Sequence, residues 1–207
     1  MELKGRLLAI SELVEPNSIV LDVGTDHAYL PIYLCLTKKC LRAYASDISV
    51  NALKNAQNNV EKYQVNNLKL ILSDGLKNIN EDYDTLVLSG MGTKTIIKIL
   101  EGNNLPLKII ISSNNNLYEL RTYMNKLGYA IKKEIISYDN QKYYDIISYY
   151  KKNEKLSKTT LKYGKAKDKK YYAYLLKKEQ NKFWKVSICS KLKLIPSIIC
   201  LFYRSII

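Results

Sequence analysis

The 207-residue sequence contains one histidine, His27. That scarcity excludes much chemistry. A histidine-built metal site would need ligands of other kinds, and only one Ser-His-acid triad could be assembled at all. The four cysteines, Cys35, Cys40, Cys189 and Cys200, form no Cys-x-x-Cys pair. Neither a zinc site nor a dithiol redox motif is therefore expected, and no metal. They read as small apolar residues in a reducing compartment, which points to the cytoplasm. Long hydrophobic runs are missing too. The longest, 195–207, is broken by Pro196 and Arg204 and falls short of the roughly 20 residues of a bilayer span. The opening MELKGRLLAISELV is amphipathic and carries acids, so neither a secretory leader nor a membrane association is expected.

Acidic residues are scarce in only one part of the chain. Residues 1–150 carry 17 Lys/Arg against 16 Asp/Glu, whereas 151–207 carry 16 against 3. A general compositional bias toward lysine would raise both parts. The concentration of the net +14 in the last quarter instead suggests a nucleic-acid partner held through phosphates. The alternative for such a run is a solvated face.

A hydrophobic fraction of 47% suits a globular domain with an appendage. Leu3, Leu7, Ile10 and Val14 share one helical face up to Pro16. Then short apolar runs alternate with helical stretches. Strands are expected at Ile19–Gly24, Arg42–Ile48, Leu68–Leu72, Thr85–Ser89 and Lys108–Ser112. Helices are expected at Tyr29–Leu36, Val50–Tyr63 (capped by Ser49), Thr93–Leu100 and Leu117–Leu127, the last stopped by Gly128. Tyr129–Ser137 and Tyr143–Tyr150 are too close for a helix between them and should pair as a hairpin. The reading is an α/β, Rossmann-like, mostly parallel sheet with a terminal antiparallel hairpin, spanning 1–152. A small basic helical, coiled-coil-like appendage is expected at 153–207, with a linker near 153–158. Its Tyr171, Tyr172, Tyr174, Phe183 and Trp184 could stack on bases or pack between helices.

Ligands of such sheets sit beyond the C-terminal ends of the strands. The first strand ends Asp22-Val-Gly24-Thr25-Asp26-His27. A dinucleotide site would show G-x-G-x-x-G, whose second glycine admits a pyrophosphate. Asp26 would repel that group and suits a cationic ligand instead; S-adenosylmethionine carries both a sulfonium and an ammonium. Asp47 follows Asp22 by 25 residues, at the place where a carboxylate accepts from ribose hydroxyls. Asp74-Gly75 ends the third strand, where a carboxylate can accept from an adenine amino group. Each aspartate alone could be a cap or turn residue; three at successive strand ends form a pattern. Gly90-Met91-Gly92 and Ser112-Ser113-Asn114 end the next two strands.

The run Asp22-Val-Gly-Thr-Asp-His-Ala-Tyr-Leu-Pro31 resembles the signature of the bacterial tRNA adenine-22 N1-methyltransferase family. Arg6-Leu7, Asp47, Asp74-Gly75-Leu76, Gly90-Met91-Gly92, Asn114 and Tyr143-Tyr144-Asp145-Ile146 fall where that family has similar residues. The similarity covers about 3–150 and continues weakly through Tyr163-Gly164. The family tends to have a second glycine where this chain has Thr93, and Gln-Pro-Asn in place of Ser112-Ser113-Asn114.

The resemblance implies methyl transfer from S-adenosylmethionine to N1 of a tRNA adenine. Asp22, Gly24, Thr25, Asp47, Ile48, Asp74, Gly75, Gly90, Met91 and Gly92 would hold the cofactor. Asp26 and Asn114 are candidates to accept from the adenine amino group, Tyr29 to stack on or hydrogen-bond the base, and His27 for either a catalytic or a structural part. Arg6, Lys162, Lys165, Lys167, Lys169, Lys170, Lys177 and Lys178 would hold tRNA, and the chain is expected to work as a monomer. The rival readings are a methyltransferase for another RNA site or a protein, a nicotinamide oxidoreductase, and a non-catalytic RNA-binding module.

Overall fold

A computed structural model describes residues 1–139, 141–165 and 173. Seven strands form one sheet, β1 (Ser18–Val23), β2 (Cys40–Asp47), β3 (Leu68–Leu72), β4 (Thr85–Met91), β5 (Lys108–Ser113), β6 (Tyr129–Asp139) and β7 (Lys142–Lys151). Their spatial order is β3-β2-β1-β4-β5-β7-β6. β1 to β5 run parallel; β7 lies antiparallel to both β5 and β6. This is the doubly wound sheet with a closing hairpin that the alternating pattern predicts. The order reverses between β1 and β4, which opens a crevice at their C-terminal ends.

The parallel strands are apolar because both of their faces are covered. On one side α1 (Gly5–Leu13), α2 (Tyr29–Leu36) and α3 (Val50–Tyr63) pack over Val20, Ala43, Ala45, Val87 and Ile110. On the other, α4 (Thr93–Leu100) and α5 (Leu117–Lys126) cover Leu21, Leu86, Leu88, Ile109 and Ile111. α2 buries Leu30, Pro31, Ile32, Leu34 and Cys35; Pro31 is tolerated because a first-turn N–H has no intrahelical partner to lose. Ser49 caps α3, its hydroxyl accepting the Ala52 N–H at 3.3 Å.

The structure adds detail to the sequence reading in two places. The hairpin strands continue through Tyr138↔Tyr143 to Asp139↔Lys142, which narrows the expected five-residue loop to the two residues between Asp139 and Lys142. A short helix, α6 (Lys158–Tyr163), follows the stretch expected as a linker; it is capped by the Ser157 hydroxyl. α6 adjoins α5, and the Lys165 N–H beyond it bonds the buried Glu134 carboxylate. That carboxylate also pairs with the buried Arg121, at 2.5 Å. The chain divides into units after Lys167. No helix among the described residues is long and apolar enough to cross a membrane.

Candidate active site

The β1–α2 loop is held by six hydrogen bonds and still keeps an uncommon backbone. The Gly24 and Thr25 N–H groups donate to the Ser46 carbonyl (2.8 and 3.0 Å), and the Ala28 N–H to that of Thr25 (3.1 Å). The Thr25 hydroxyl donates to Asp22 (2.8 Å), the Asp26 N–H to Asp47 (3.3 Å), and the Asn59 amide to the His27 carbonyl (2.9 Å). Asp26 and Ala28 have φ of 51° and 55°, the left-handed region that costs an L-residue roughly 1–2 kcal/mol. Strain of this kind persists where surrounding structure over-determines it. Its result here is that Asp26, His27 and Tyr29 all reach solvent. The His27 and Tyr29 rings stack at 5.3 Å and 19°, and an Asp26 oxygen lies 3.5 Å from His27 Nε2.

Asp22 is different in kind. It is buried, and burial pushes its carboxyl up to about 6, against the opposing effects of the Thr25 hydroxyl and of Arg6. A desolvated carboxylate at a strand end is an energetic liability that a cationic ligand relieves. Asp47 accepts the Ser49 N–H (2.9 Å) with one oxygen and the Asp26 N–H with the other. A carboxylate has about four acceptor positions, so two hydroxyl donors can still be accommodated. Ile48 beside it is an exposed apolar side chain, suited to the face of a purine. Asp74 is exposed and pairs with Lys77 at 2.5 Å, which lowers its pKa. Gly75 follows in the same turn, where the Ser73 hydroxyl donates to its carbonyl and accepts the Asn78 N–H.

At the end of β4 the register slips. Ser89 pairs with Ser112 and Met91 with Ser113, which leaves Gly90 as a bulge. Its φ is 83°, and a side chain there would meet the Arg6 guanidinium at 3.2 Å, so only glycine fits without displacement. The Gly90 carbonyl accepts the Asn114 amide at 2.8 Å, which leaves Asn114's own side-chain oxygen as the acceptor at this edge. Asn115 serves a separate purpose: it accepts the Thr93 N–H at 3.0 Å and so ties the loop to the start of α4 after Gly92. The Thr93 hydroxyl bonds Ser113 at 2.8 Å, which gives the residue standing in place of a glycine a structural part.

Sequence reasoning noted two strand-end serines but gave them no part. The Ser89 and Ser112 hydroxyls are buried side by side at the ends of β4 and β5 and have no protein hydrogen-bond partner among the described residues. Buried polar groups of this kind are satisfied by a ligand or an ordered water; the available signal was that both apolar strands close on serine.

The structure thus gathers Asp22, Gly24, Thr25, Asp26, His27, Tyr29, Asp47, Ile48, Asp74, Gly75, Gly90, Met91, Gly92 and Asn114 in or beside the loops that follow strands β1 to β5. Arg6 joins them from α1. Lys162 is exposed on α6, whereas the Lys165 ammonium donates to the Ile131 carbonyl at 3.0 Å. Lys167, Lys169, Lys170, Lys177 and Lys178 lie outside the described residues.

Comparison with known proteins places the chain among methyltransferases. A family described as a methyltransferase domain matches residues 3–147. The tRNA (adenine(22)-N(1))-methyltransferase of Bacillus subtilis is 30% identical over 71% of this chain, which spans 64% of that relative's length. The Mycoplasma genitalium protein MG248, whose name proposes a tRNA methyltransferase, is 34% identical; the match covers 87% of this chain and 89% of that one. Among solved structures, M. capricolum TrmK in complex with the cofactor product S-adenosyl-homocysteine superposes with a TM-score of 0.83 at 30% identity, covering all of this chain and 93% of that one. Family match, full-length structural likeness and strand-end carboxylates agree: the chain belongs to the methyltransferase-domain family, beside the tRNA (adenine(22)-N(1))-methyltransferases.

Proposed function

We propose that this protein transfers the methyl group of S-adenosylmethionine to N1 of an adenine in tRNA, at position 22 as the B. subtilis relative's name states, and does so in the cytoplasm as a single chain. The observation that carries the reading is the passage from β1 into α2, where the strand buries one carboxylate, Asp22, and the loop exposes another, Asp26, beside a stacked His27–Tyr29 pair. One carboxylate suits the cationic end of the cofactor, and the exposed group suits a base brought to it.

The residues present fit the cofactor. Asp22 would take its ammonium, Asp47 its ribose hydroxyls, Ile48 one face of its purine and Asp74 the amino group, with the Gly24 and Gly90–Gly92 backbone passing close. S-adenosylmethionine, when bound, supplies a methyl group on a sulfonium. N1 of adenine lies on the pairing edge, so the base must be unpaired or turned out, at a cost of a few kcal/mol that pocket contacts offset. Its in-plane lone pair forms the new N–C bond while the S–C pair stays on sulfur, and no general base is needed to make the nucleophile. What the chain supplies is therefore alignment and charge. Tyr29 would hold the ring plane. The Asp26 carboxylate or the Asn114 side-chain oxygen would accept from the adenine amino group, opposing the positive charge that develops on the ring. The basic segment beyond Lys151 would hold the tRNA body through phosphates.

The test is transfer of labelled methyl from S-adenosylmethionine to unmodified tRNA with the product nucleoside identified. Label in N1-methyladenosine is the expected result. Cofactor binding without transfer to any tRNA would overturn the substrate and leave the family assignment standing.

A further inference from the structure

The tip of the β6–β7 hairpin takes no part in the chemistry above, yet it is fastened to the crevice. β7 pairs with β5 only from Ile147 to Tyr150, so Lys142–Ile146 run on past that pairing, about 16 Å of strand at ~3.3 Å per residue. Asp139 near the tip accepts the Arg6 N–H at 3.4 Å. Gly5 makes that approach possible: its φ is 52°, and a side chain there would overlap the Asp139 carboxylate. The Arg6 guanidinium lies over the Tyr144 ring at 5.2 Å and against Gly90, whose carbonyl holds Asn114. The tip is thus linked through one arginine to the edge at which the target base would sit.

Alternation along β7 turns Tyr143 away from the face that carries Tyr144 and Arg6. There Tyr143 stands directly opposite Tyr138, with ring centroids 4.8 Å apart and planes tilted by 51°. Tyr138 is 60% exposed. An aromatic pair kept in solvent on a projecting hairpin is ill explained by core packing, which both rings escape in part. Gln141 and Lys142 beside the pair are exposed, and Lys142 stands opposite Asp139, on the other face of the hairpin from the two rings.

We propose that Tyr138 and Tyr143 form a stacking subsite for an unpaired nucleobase of the RNA substrate, the neighbour of the target adenine. The proposal rests on the RNA-methylation reading above. Turning out one base leaves its neighbour with an uncovered face, and an aromatic ring accepts any base on that face. The two faces of the hairpin then divide the work: Tyr144 and Arg6 look toward the target, while Tyr138 and Tyr143 receive the flanking base.

The probe is a tRNA-derived oligoribonucleotide with 2-aminopurine beside the target adenine, titrated against three forms of the full chain. These are the wild type, Y138F/Y143F, and Y138V/Y143T, which keeps β-forming side chains but removes both rings. Wild type and Y138F/Y143F should quench the fluorophore alike. Y138V/Y143T should lose the quenching and bind about tenfold more weakly, with KM for RNA rising and affinity for S-adenosylhomocysteine retained. Should the double variant fail to fold, Tyr138→Val at the more exposed ring gives the same reading at smaller amplitude. Undiminished quenching and affinity in the ring-free variants would overturn the proposal, as would loss in Y138F/Y143F, which would indicate a hydroxyl contact instead. Wild-type protein that quenches the probe but methylates no tRNA would refute the catalytic reading and leave the subsite standing; wild-type protein that methylates tRNA without quenching would do the reverse.

Discussion

Asp22→Asn is expected to make the cofactor-free protein more stable and to weaken its hold on the cofactor. Burial raises the Asp22 carboxyl from 3.8 to about 6. At ~1.36 kcal/mol per pKa unit, keeping it ionised at pH 7 costs the fold about 3 kcal/mol relative to an exposed carboxylate. The sign follows from proton binding. Between about pH 4 and 6 the folded state holds a proton that the unfolded state has lost, so this group's contribution falls as pH rises through that window and is level above it. Asparagine has nearly the same shape, carries no charge, and its oxygen can still accept the Thr25 hydroxyl. The variant should gain up to about 3 kcal/mol at pH 7, a rise in melting midpoint of up to roughly 6–12 °C, and almost nothing at pH 4. Binding should run the other way. A cationic ligand favours the ionised carboxylate, so wild-type affinity for S-adenosylhomocysteine should tighten with pH up to about 6 and then level off, whereas the variant binds weakly throughout. Urea unfolding at pH 4, 5, 6 and 7, with calorimetric titration of S-adenosylhomocysteine, measures both. A variant less stable than wild type at pH 7, or one equally stabilised at pH 4, would refute the reasoning about burial. Undiminished cofactor affinity would refute the role given to Asp22.

Asp26→Ala should leave S-adenosylhomocysteine affinity within about twofold while lowering kcat by roughly 10- to 100-fold, the scale on which a transition state depends on one charge-assisted hydrogen bond; single-turnover methylation reads this directly, and near-normal turnover would remove the proposed bond to the amino group. Glu134→Ala should destabilise the fold by about 3 kcal/mol, because the buried Arg121 loses its 2.5 Å partner and keeps Asp145 only at 3.9 Å. The same change releases the Lys165 N–H, so limited proteolysis near residue 165 should accelerate in parallel with the loss seen in urea unfolding.

The sheet was legible because its inner strands are buried on both faces, which forces unbroken apolar runs with abrupt ends. Tyr29–Leu36, Val50–Tyr63, Leu68–Leu72 and Thr93–Leu100 have the limits the pattern predicts. The hairpin was placed correctly but cut short: Asp139-Asn140 reads as a wide loop, whereas Tyr138 and Tyr143 are good strand residues and carry the pairing almost to the turn. The Arg121–Glu134 pair was not legible, since a charged residue is normally exposed and nothing in a 13-residue separation marks two that are buried together.

At the candidate site the distinction is between composition and register. That a carboxylate stands at the ends of β1, β2 and β3 can be read from one sequence, because an acid closing an apolar run has few places to go. Which of three consecutive asparagines faces the crevice cannot be read so. Asn114 reaches the Gly90 carbonyl and Asn115 the Thr93 N–H because β4 bulges by one residue at Gly90. The glycine that makes the bulge is the same one that admits Arg6. Arg6 in turn lowers the Asp22 pKa and lies over Tyr144, so a single backbone irregularity sets the acceptor at the target edge, moderates the buried carboxylate and tethers the hairpin. A substitution at Gly90 should therefore disturb cofactor affinity and RNA affinity together, whereas Asp22 and Tyr138 variants separate them.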